Sequence, residues 1–456
     1  MSFLPEKLLE SLEGVKGFNK TSFKEIHSDG EKITSIRINP LKPAHLSFGA
    51  MEKVPWSSYG YYLSSRPFFT FDPLIHGGAY YVQEASSMFL EQCLIQLGDM
   101  TRGIKVLDLC AAPGGKSTLI QSLLNKDSLL VSNEVIKTRV NVLSENIIKW
   151  GAANNIVTNN DPRDFSRLKN YFDIIVIDAP CSGSGLFRRD PDAVNEWSPA
   201  AVDMCSRRQQ RILADVWPAL KQNGLVIYST CSYSVQEDED ICDWICDNFN
   251  ATSLSVKIRS EWGIVETISS KHKAFAYRFF PDKLSGEGFF IACFRKKDGG
   301  ETSTEHSKKK LVKLSVPDKA LVQPWLNDAS EYDLYSHEQN IFAFRAALDQ
   351  ELLSIHASLY TRKAGTLVGK LLNKEFIPAH DLALSEVVNN GLPAVVLQQE
   401  DAVRYLRKEE VKTETREKGW ALVKYEGINL GWVKLLSNRV NNYYPKEWRI
   451  LKSSDS

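Results

Sequence analysis

The chain has 456 residues, of which 43% are hydrophobic, and its 56 basic residues balance its 56 acidic ones. This length corresponds to about three domains with real cores, and the zero net charge means that nucleic-acid binding would depend on local basic patches. The beginning of the chain has no apolar signal core, and no run approaches the roughly 18 apolar residues of a membrane span. We therefore predict a cytoplasmic protein without a membrane partner.

Eight cysteines are present, and none of them has the paired C-x-x-C spacing of a zinc site or a recognisable disulfide framework. The sequence therefore predicts neither a bound metal nor a disulfide scaffold.

Residues 1–85 mix short helical patterns with strand-like pieces such as "KITSIRINP" (32–40). This mixture predicts an N-terminal α/β domain.

Residues 86–297 alternate short apolar runs with helical stretches, which is typical of a parallel α/β sheet of the Rossmann-like kind. One helix should begin at Ser198 and end near Asn223, and the box Ser234–Glu237 should cap another. A closing strand is predicted over 287–296. The five apolar runs lie at 104–110, 128–134, 154–161, 172–180 and 224–231.

The stretch after residue 296 is polar and rich in Gly, Ser, Thr and Lys, without a hydrophobic period. We interpret 298–314 as a linker and 315–456 as a C-terminal region of one or two modules.

Polar residues end each of the five predicted strands, where ligands bind in such sheets. An acid about 20 residues after a Gly-rich turn suits ribose hydroxyls, which predicts that role for Glu134. The alternative is that the acids are helix N-caps. The five residues are Asp108, Glu134, Asp161, Asp178 and Cys231.

The segment "VLDLCAAPGGKST" (106–118) nearly matches a phosphate-binding loop, but Cys110 replaces the first glycine and Pro113 lacks an amide hydrogen. "IIVID" (174–178) could also be the magnesium-holding strand of an NTPase. Two cysteines at strand ends, Cys181 and Cys231, argue instead for attack on an electrophilic carbon, since thiolates are strong nucleophiles. Taken singly, either cysteine could be structural.

Three motifs in this order resemble those of the Nol/Nop/Sun-type RNA cytosine-5 methyltransferases, which use S-adenosylmethionine. They are "DLCAAPGGKST", "DAPCSGSG" and "STCSYSVQEDE", supported by "HGGAYYVQEASSM", "FRRDPDAVNEWSP" and "GEGFFIACFRK". The C-terminal "GINLGWVK" and "RVNNYYPKEWRI" are similar to the tail of the bacterial 16S rRNA branch, RsmF. The resemblance implies a Rossmann-like methyltransferase domain followed by a β-rich module of the PUA type.

By this resemblance, a single loop would hold the methionine end of S-adenosylmethionine, which carries no phosphate. Glu134 would bind the ribose, Asp161 the adenine, and Asp178 would lie between cofactor and target base. The loop residues are Cys110, Ala111, Ala112, Pro113, Gly114, Gly115 and Lys116.

The resemblance also assigns the catalytic residues. Carbon 5 of cytosine is too electron-poor to accept a methyl group until a thiolate adds to carbon 6. Cys231 would be this nucleophile, Asp178 would help to protonate nitrogen 3, and Cys181 would assist product release. Physical chemistry alone does not rank the two cysteines, because DNA cytosine-5 enzymes attack with a Pro-Cys cysteine, which here is Cys181.

The target base must be flipped out or unpaired to reach such a cleft. Arg188 and Arg189 are candidates to meet phosphates, or are a solvated loop pair. The tail, which alternatively is a packed β edge, offers basic and stacking side chains for RNA, and "TSIRINP" would also guide RNA. These tail residues are Lys434, Arg439, Tyr443 and Tyr444.

We therefore expect a monomeric enzyme that makes 5-methylcytosine in RNA, most readily in 16S rRNA or the small ribosomal subunit. The same chemistry on tRNA and a catalytically idle, RNA-binding assembly factor remain alternatives. We also expect that deleting residues 315–456 would weaken RNA binding more than cofactor binding.

Overall fold

A computed structural model describes residues 4–29, 32–304, 311–411 and 417–452. Over these ranges, no helix combines the length and apolarity needed to cross a bilayer.

The N-terminal part contains a four-stranded sheet of order β2-β3-β1-β4 and three short helices. Asn19 caps α2 by accepting hydrogen bonds from two backbone amides, and Asp72 caps α3, whose first residue is Pro73. The elements are α1 (Glu6–Ser11), α2 (Lys20–Ser28), β1 (Thr34–Ile38), β2 (Met51–Lys53), β3 (Gly60–Leu63), α3 (Pro73–His76) and β4 (Tyr80–Val82).

The central part forms most of a ten-stranded sheet in which β10, β9, β5, β6 and β7 lie side by side and parallel. Antiparallel strands β11 to β14 extend one edge. The elements are α4 (Leu90–Leu97), β5 (Lys105–Asp108), α5 (Gly115–Leu123), β6 (Leu129–Asn133), α6 (Lys137–Trp150), β7 (Asn155–Thr158), β8 (Leu168–Lys169), β9 (Phe172–Asp178), α7 (Ala193–Glu196), α8 (Pro199–Val216), β10 (Leu220–Thr230), α9 (Glu239–Asn248), β11 (Ala251–Leu254), β12 (Val265–Ile268), β13 (Phe275–Phe279) and β14 (Phe289–Lys296).

Alternation along the strands builds a hydrophobic core on each face of this sheet. Leu107 and Ile175 pack into one core, whereas their neighbours Val106 and Ile174 pack into the other. Both faces are covered, which is why the parallel strands are apolar throughout. The predicted Rossmann-like α/β sheet is confirmed.

Two predicted local features differ in the structure. Helix α8 begins after its cap Ser198, as predicted, but ends at Val216 and not near Asn223. Pro218 follows within a 3-10 turn, and Asn223, at φ 61°, lies in an irregular stretch inside β10. The predicted capping box is wrong, because Ser234 makes no cap and α9 begins at Glu239.

The C-terminal part contains a five-stranded sheet, β16-β17-β18-β20-β21, and a four-stranded sheet, β22-β23-β24-β25. Strand β15 pairs with β8, so part of the predicted linker is a strand, and residues 305–310 of that linker lie outside the described ranges. The elements are β15 (Ser303–Thr304), β16 (Val312–Lys313), α10 (Val316–Val322), β17 (Tyr332–His337), β18 (Asn340–Arg345), α11 (Asp349–Ser358), β19 (Thr361–Ala364), β20 (Thr366–Leu372), β21 (Glu375–Pro378), α12 (His380–Leu384), β22 (Ala394–Val396), α13 (Gln399–Leu406), β23 (Gly419–Tyr425), β24 (Ile428–Leu435) and β25 (Val440–Asn442).

Strand β19 belongs to the C-terminal part of the chain but joins the central sheet, where it pairs antiparallel with the edge strand β7. The sequence analysis did not foresee this strand exchange between regions.

Candidate active site

The loop between β5 and α5 is held by side chains of α6. Arg139 Nη2 donates to the carbonyl of Ala112 at 2.6 Å, and Asn146 Nδ2 donates to that of Pro113 at 2.8 Å. Ala111 is buried, and its amide donates to the carbonyl of Asn133 at 2.8 Å. Three hydrogen bonds to its backbone therefore hold the loop against α6 and β6.

Cys110 lies in the same loop. Burial, with the nearby carboxylates adding to its effect, raises the pKa of the Cys110 thiol, so this group stays protonated. Cys110 also packs against the hydrophobic core on one face of the sheet.

Two glycines let the loop turn into α5. Gly114 has φ 119°, a backbone conformation in which a residue with a side chain would be strained. At Gly115 a Cβ atom would lie only 3.3 Å from the ring of Tyr81. From β1, the fully buried Arg37 donates to the carbonyl of Gly115 at 3.3 Å and to Thr118 Oγ1 at 2.5 Å. Within "TSIRINP", Arg37 is not exposed to RNA, because its guanidinium supports the loop between β5 and α5 from inside the protein. That the N-terminal part guides RNA stays a prediction.

Three carboxylates lie at or just after the ends of β5, β6 and β7. Asp108 is fully buried; its Oδ2 accepts from Ser117 Oγ at 2.6 Å and its Oδ1 has no partner among the described atoms. Burial raises the pKa of Asp108 to about 7. Glu134 is 3% exposed and accepts from the amide of Ile136 at 2.9 Å, and Asp161 caps the turn after β7.

Lys116 and Asp178 form a salt bridge of 2.8 Å between the loop and the end of β9. Burial opposes the charge of Lys116, but the attraction of Asp178 and their hydrogen bond outweigh it and raise the Lys116 pKa. Ser229 Oγ donates to the other oxygen of Asp178 at 3.0 Å. The loop lysine is thus neutralised, in contrast to the lysine of a phosphate-binding loop.

The two cysteines meet beside this pair, with Sγ atoms of Cys181 and Cys231 3.0 Å apart. Both are free thiols. The hydrogen bond with Cys231, followed by burial, raises the pKa of the Cys181 thiol well above its ordinary value. The two sulfurs are within hydrogen-bond distance, and either thiol can be the donor.

Glu237 joins the two cysteine loops, and the sequence analysis missed it. Its buried carboxylate accepts from the amide of Ser182 at 2.8 Å, from the hydroxyls of Ser182 and Ser232, and from Gln209 Nε2 at 3.2 Å. Burial raises its pKa. Because Glu237 comes three residues after Ser234, the sequence suggested a capping box. Its position six residues after Cys231 was the signal that could have indicated a place in the active site.

The predicted RNA-binding residues are placed unequally. Arg188 is buried with Glu287, its Nη1 3.5 Å from a carboxylate oxygen, whereas Arg189 is exposed. The burial of Arg188 corrects the prediction that its guanidinium faces phosphates.

In the tail, Tyr443 is exposed and packs edge-on against Trp420, over which Lys434 lies. Lys434 also pairs with Glu375 at 2.7 Å, and Arg439 is exposed. Tyr444 is fully buried, so the prediction that it stacks on RNA is wrong.

Within the described ranges, no three His, Cys, Asp or Glu side chains are grouped so as to hold a metal ion.

The fold and this arrangement define a Rossmann-like methyltransferase with a C-terminal β-rich extension. The family described as 16S rRNA methyltransferase RsmB/F matches residues 96–295, the RsmF PUA domain matches 387–450, and the RsmF N-terminal domain matches 4–85. The ribosomal RNA small subunit methyltransferase F of Aeromonas hydrophila is 30% identical over 91% of this chain and 90% of its own. The corresponding methyltransferase F of Vibrio atlanticus is 29% identical over 98% of this chain and 97% of its own. The chain belongs to the RsmF family.

Solved structures agree on the fold. A methyltransferase homolog from Pyrococcus horikoshii, 28% identical, has a TM-score of 0.51 and covers 64% of this chain and 100% of its own. NSun6 from the same organism, solved with SFG, is 18% identical with a TM-score of 0.54, covering 65% and 99%. The predicted family and fold class are confirmed.

Proposed function

We propose that this protein transfers a methyl group from S-adenosylmethionine to carbon 5 of a cytosine in small-subunit ribosomal RNA, through a covalent adduct with Cys231. The observation that carries the proposal is the contact between Cys181 and Cys231 beside the Lys116–Asp178 pair. The names of the RsmF relatives support the substrate class.

The site fits S-adenosylmethionine better than a nucleoside triphosphate. Two carboxylates, Glu134 and Asp161, follow the ends of β6 and β7, and the lysine of the loop is already paired with Asp178. These acids would repel phosphates but suit ribose hydroxyls and a sulfonium cation. The presence of SFG in the NSun6 structure is consistent with this choice. Gly114, Gly115 and Lys116 would hold the methionine end, Glu134 the ribose and Asp161 the adenine.

Bound S-adenosylmethionine supplies an electrophilic methyl group on its sulfonium. Cys231, as the thiolate, adds to carbon 6 of the cytosine and makes carbon 5 nucleophilic. Asp178 would contact nitrogen 3, and the proton that nitrogen 3 takes up would come from the Lys116 ammonium through its hydrogen bond to Asp178. Cys181 lies against Cys231, so that at release it can give its proton to the departing Cys231 sulfur and take up the proton lost from carbon 5.

RNA would reach the cleft past Arg189, while the C-terminal PUA-type domain presents Tyr443 and Lys434 to it. Methylation of tRNA by the same chemistry remains the second candidate substrate class. The predicted domain boundaries, monomeric state and cytoplasmic location stay predictions.

The two cysteines can be separated by substitution. Cys231→Ala should abolish turnover and any covalent enzyme–RNA adduct, because no thiolate remains to add to carbon 6. Cys181→Ala should still attack and methylate but stall at release, so that a denaturant-resistant adduct accumulates on a gel. Cys246→Ala, a substitution on α9 away from both sulfurs, serves as the control and should turn over normally.

Bisulfite sequencing of ribosomal RNA from cells with and without the protein identifies the base and tests the substrate class. An adduct in Cys231→Ala and none in Cys181→Ala would reverse the assignment. Full activity in both variants would refute the covalent mechanism.

A further inference from the structure

The edge of the central sheet nearest the adenosyl side of the site is closed by a strand from the C-terminal part. Strand β19 pairs with β7 through Thr361 opposite Thr158 and Ala364 opposite Ile156, and the amide of Gly365 donates to the carbonyl of Asn155 at 2.9 Å. A free edge strand would leave its backbone groups unpaired. The C-terminal part thus completes the catalytic sheet.

Tyr360, the residue before β19, is hydrogen-bonded to the turn that leads from β7 to Asp161. The carbonyl of Tyr360 accepts from the amide of Asn159 at 3.1 Å and from Asn160 Nδ2 at 3.1 Å. The amide of Tyr360 donates to Asn160 Oδ1 at 3.0 Å. Asn160 therefore uses both ends of its amide side chain on a single backbone unit of the C-terminal part.

The same turn is bonded inward to the loop that carries Glu134. Asn159 Nδ2 donates to the carbonyls of Glu134 at 2.6 Å and Val135 at 3.0 Å. Asn133 accepts from the amide of Asn160 at 3.0 Å and donates to its carbonyl at 3.0 Å. The two loops that hold the ribose and adenine candidates are consequently one hydrogen-bonded unit, anchored on its outer side by Tyr360.

We propose that Asn160 is a positioning residue through which strand β19 sets the cofactor site, so that the C-terminal part belongs to that site as well as to the RNA-binding surface. The inference rests on the proposed function, since it takes Glu134 and Asp161 as adenosyl ligands. Hydrogen-bonded side chains that support ligand-binding groups fix their positions, and loss of such support weakens the ligand more than the chemistry. Removal of the C-terminal part should then weaken cofactor binding as well as RNA binding.

The test uses the full chain with Asn160→Ala. Loss of both bonds to Tyr360 should raise the KM for S-adenosylmethionine about tenfold and weaken S-adenosylhomocysteine binding about tenfold in calorimetry, with kcat within about twofold. A residue with only a structural role would reduce the active fraction, lowering apparent kcat and leaving KM unchanged.

Two further variants make the result specific. Asn159→Ala removes the bonds to Glu134 and Val135 and should raise KM in the same way, which covers the case in which Asn160→Ala does not fold. Arg167→Ala removes a 3.1 Å bond to the carbonyl of Ser358 in the same junction but outside this unit, and should leave KM unchanged.

An unchanged KM in both asparagine variants, beside a wild type that binds S-adenosylhomocysteine, overturns the positioning role alone. A wild type that binds no S-adenosylhomocysteine overturns the proposed function together with this inference.

Discussion

The buried carboxyl of Asp108 should make the stability of the cofactor-free protein depend on pH around neutrality, and Asp108→Asn should remove that dependence. Asp108 is fully buried, has one hydrogen bond, from Ser117, and no partner on Oδ1 among the described atoms. Asparagine has the shape of the protonated carboxyl and keeps an acceptor for Ser117. The substitution therefore removes the titration without removing the packing.

The magnitude follows from the two pKa values. The pKa is about 7 in the folded protein against an ordinary value of 3.8, and this difference corresponds to ~4 kcal/mol. Because the folded value is raised, the contribution to stability is complete below the unfolded pKa and is lost as pH rises through the folded pKa. Between about pH 5.5 and about pH 8.5 the wild type should lose ~2 kcal/mol relative to the variant.

Calorimetric unfolding across this pH range checks the prediction. For a domain of this size, ~2 kcal/mol corresponds to a change of about 4 to 8 °C in the difference between the two Tm values. Asp203→Asn, an exposed carboxylate on α8 paired with Arg207, is the control and should give no pH-dependent difference in this range. Parallel Tm profiles for wild type and Asp108→Asn would refute the assigned pKa and the burial argument behind it.

Other variants probe the remaining parts of the site. Glu237→Ala should lower kcat about tenfold or more, because it leaves the amide of Ser182 buried without an acceptor. Glu237→Gln should recover most of the activity, because the serine hydroxyls can accept from the new amide where they donated to the carboxylate. Equal losses of kcat for the two variants in steady-state assays would contradict the role of Glu237 in joining the two cysteine loops. Tyr443→Ala should weaken RNA binding about tenfold, because a stacking ring is lost. Tyr444→Phe should not change RNA binding, because that ring is buried and its hydroxyl has no partner among the described residues. Filter binding with a 16S rRNA fragment compares the two variants, and a greater loss for Tyr444→Phe would contradict the assignment of Tyr443 as the RNA-facing ring.

Much of the catalytic centre was readable from local patterns. Short apolar runs that end in polar residues mark the strands, and parallel strands bring those ends to one edge, so Asp108, Glu134, Asp161, Asp178 and Cys231 could be named as candidates without a structure. The motifs around Lys116 indicated the family for the same reason, since they are short and contiguous. Local sequence suffices wherever an element and the turn after it carry the chemistry.

The tertiary structure decided which partners these residues meet. Glu237 and Ser182 are 55 positions apart, and Arg37 reaches the loop between β5 and α5 from another part of the chain. From sequence alone a charged residue is expected to be exposed, which is why the burial of Arg37 and Arg188 was not predicted. An aromatic residue in a polar stretch is likewise expected to be free for stacking, which is why Tyr444 was wrongly assigned to RNA. Strand β19 shows the limit most clearly: four residues carry little pattern of their own, and only the unpaired edge of β7, formed more than 200 positions earlier in the chain, determines where they pair.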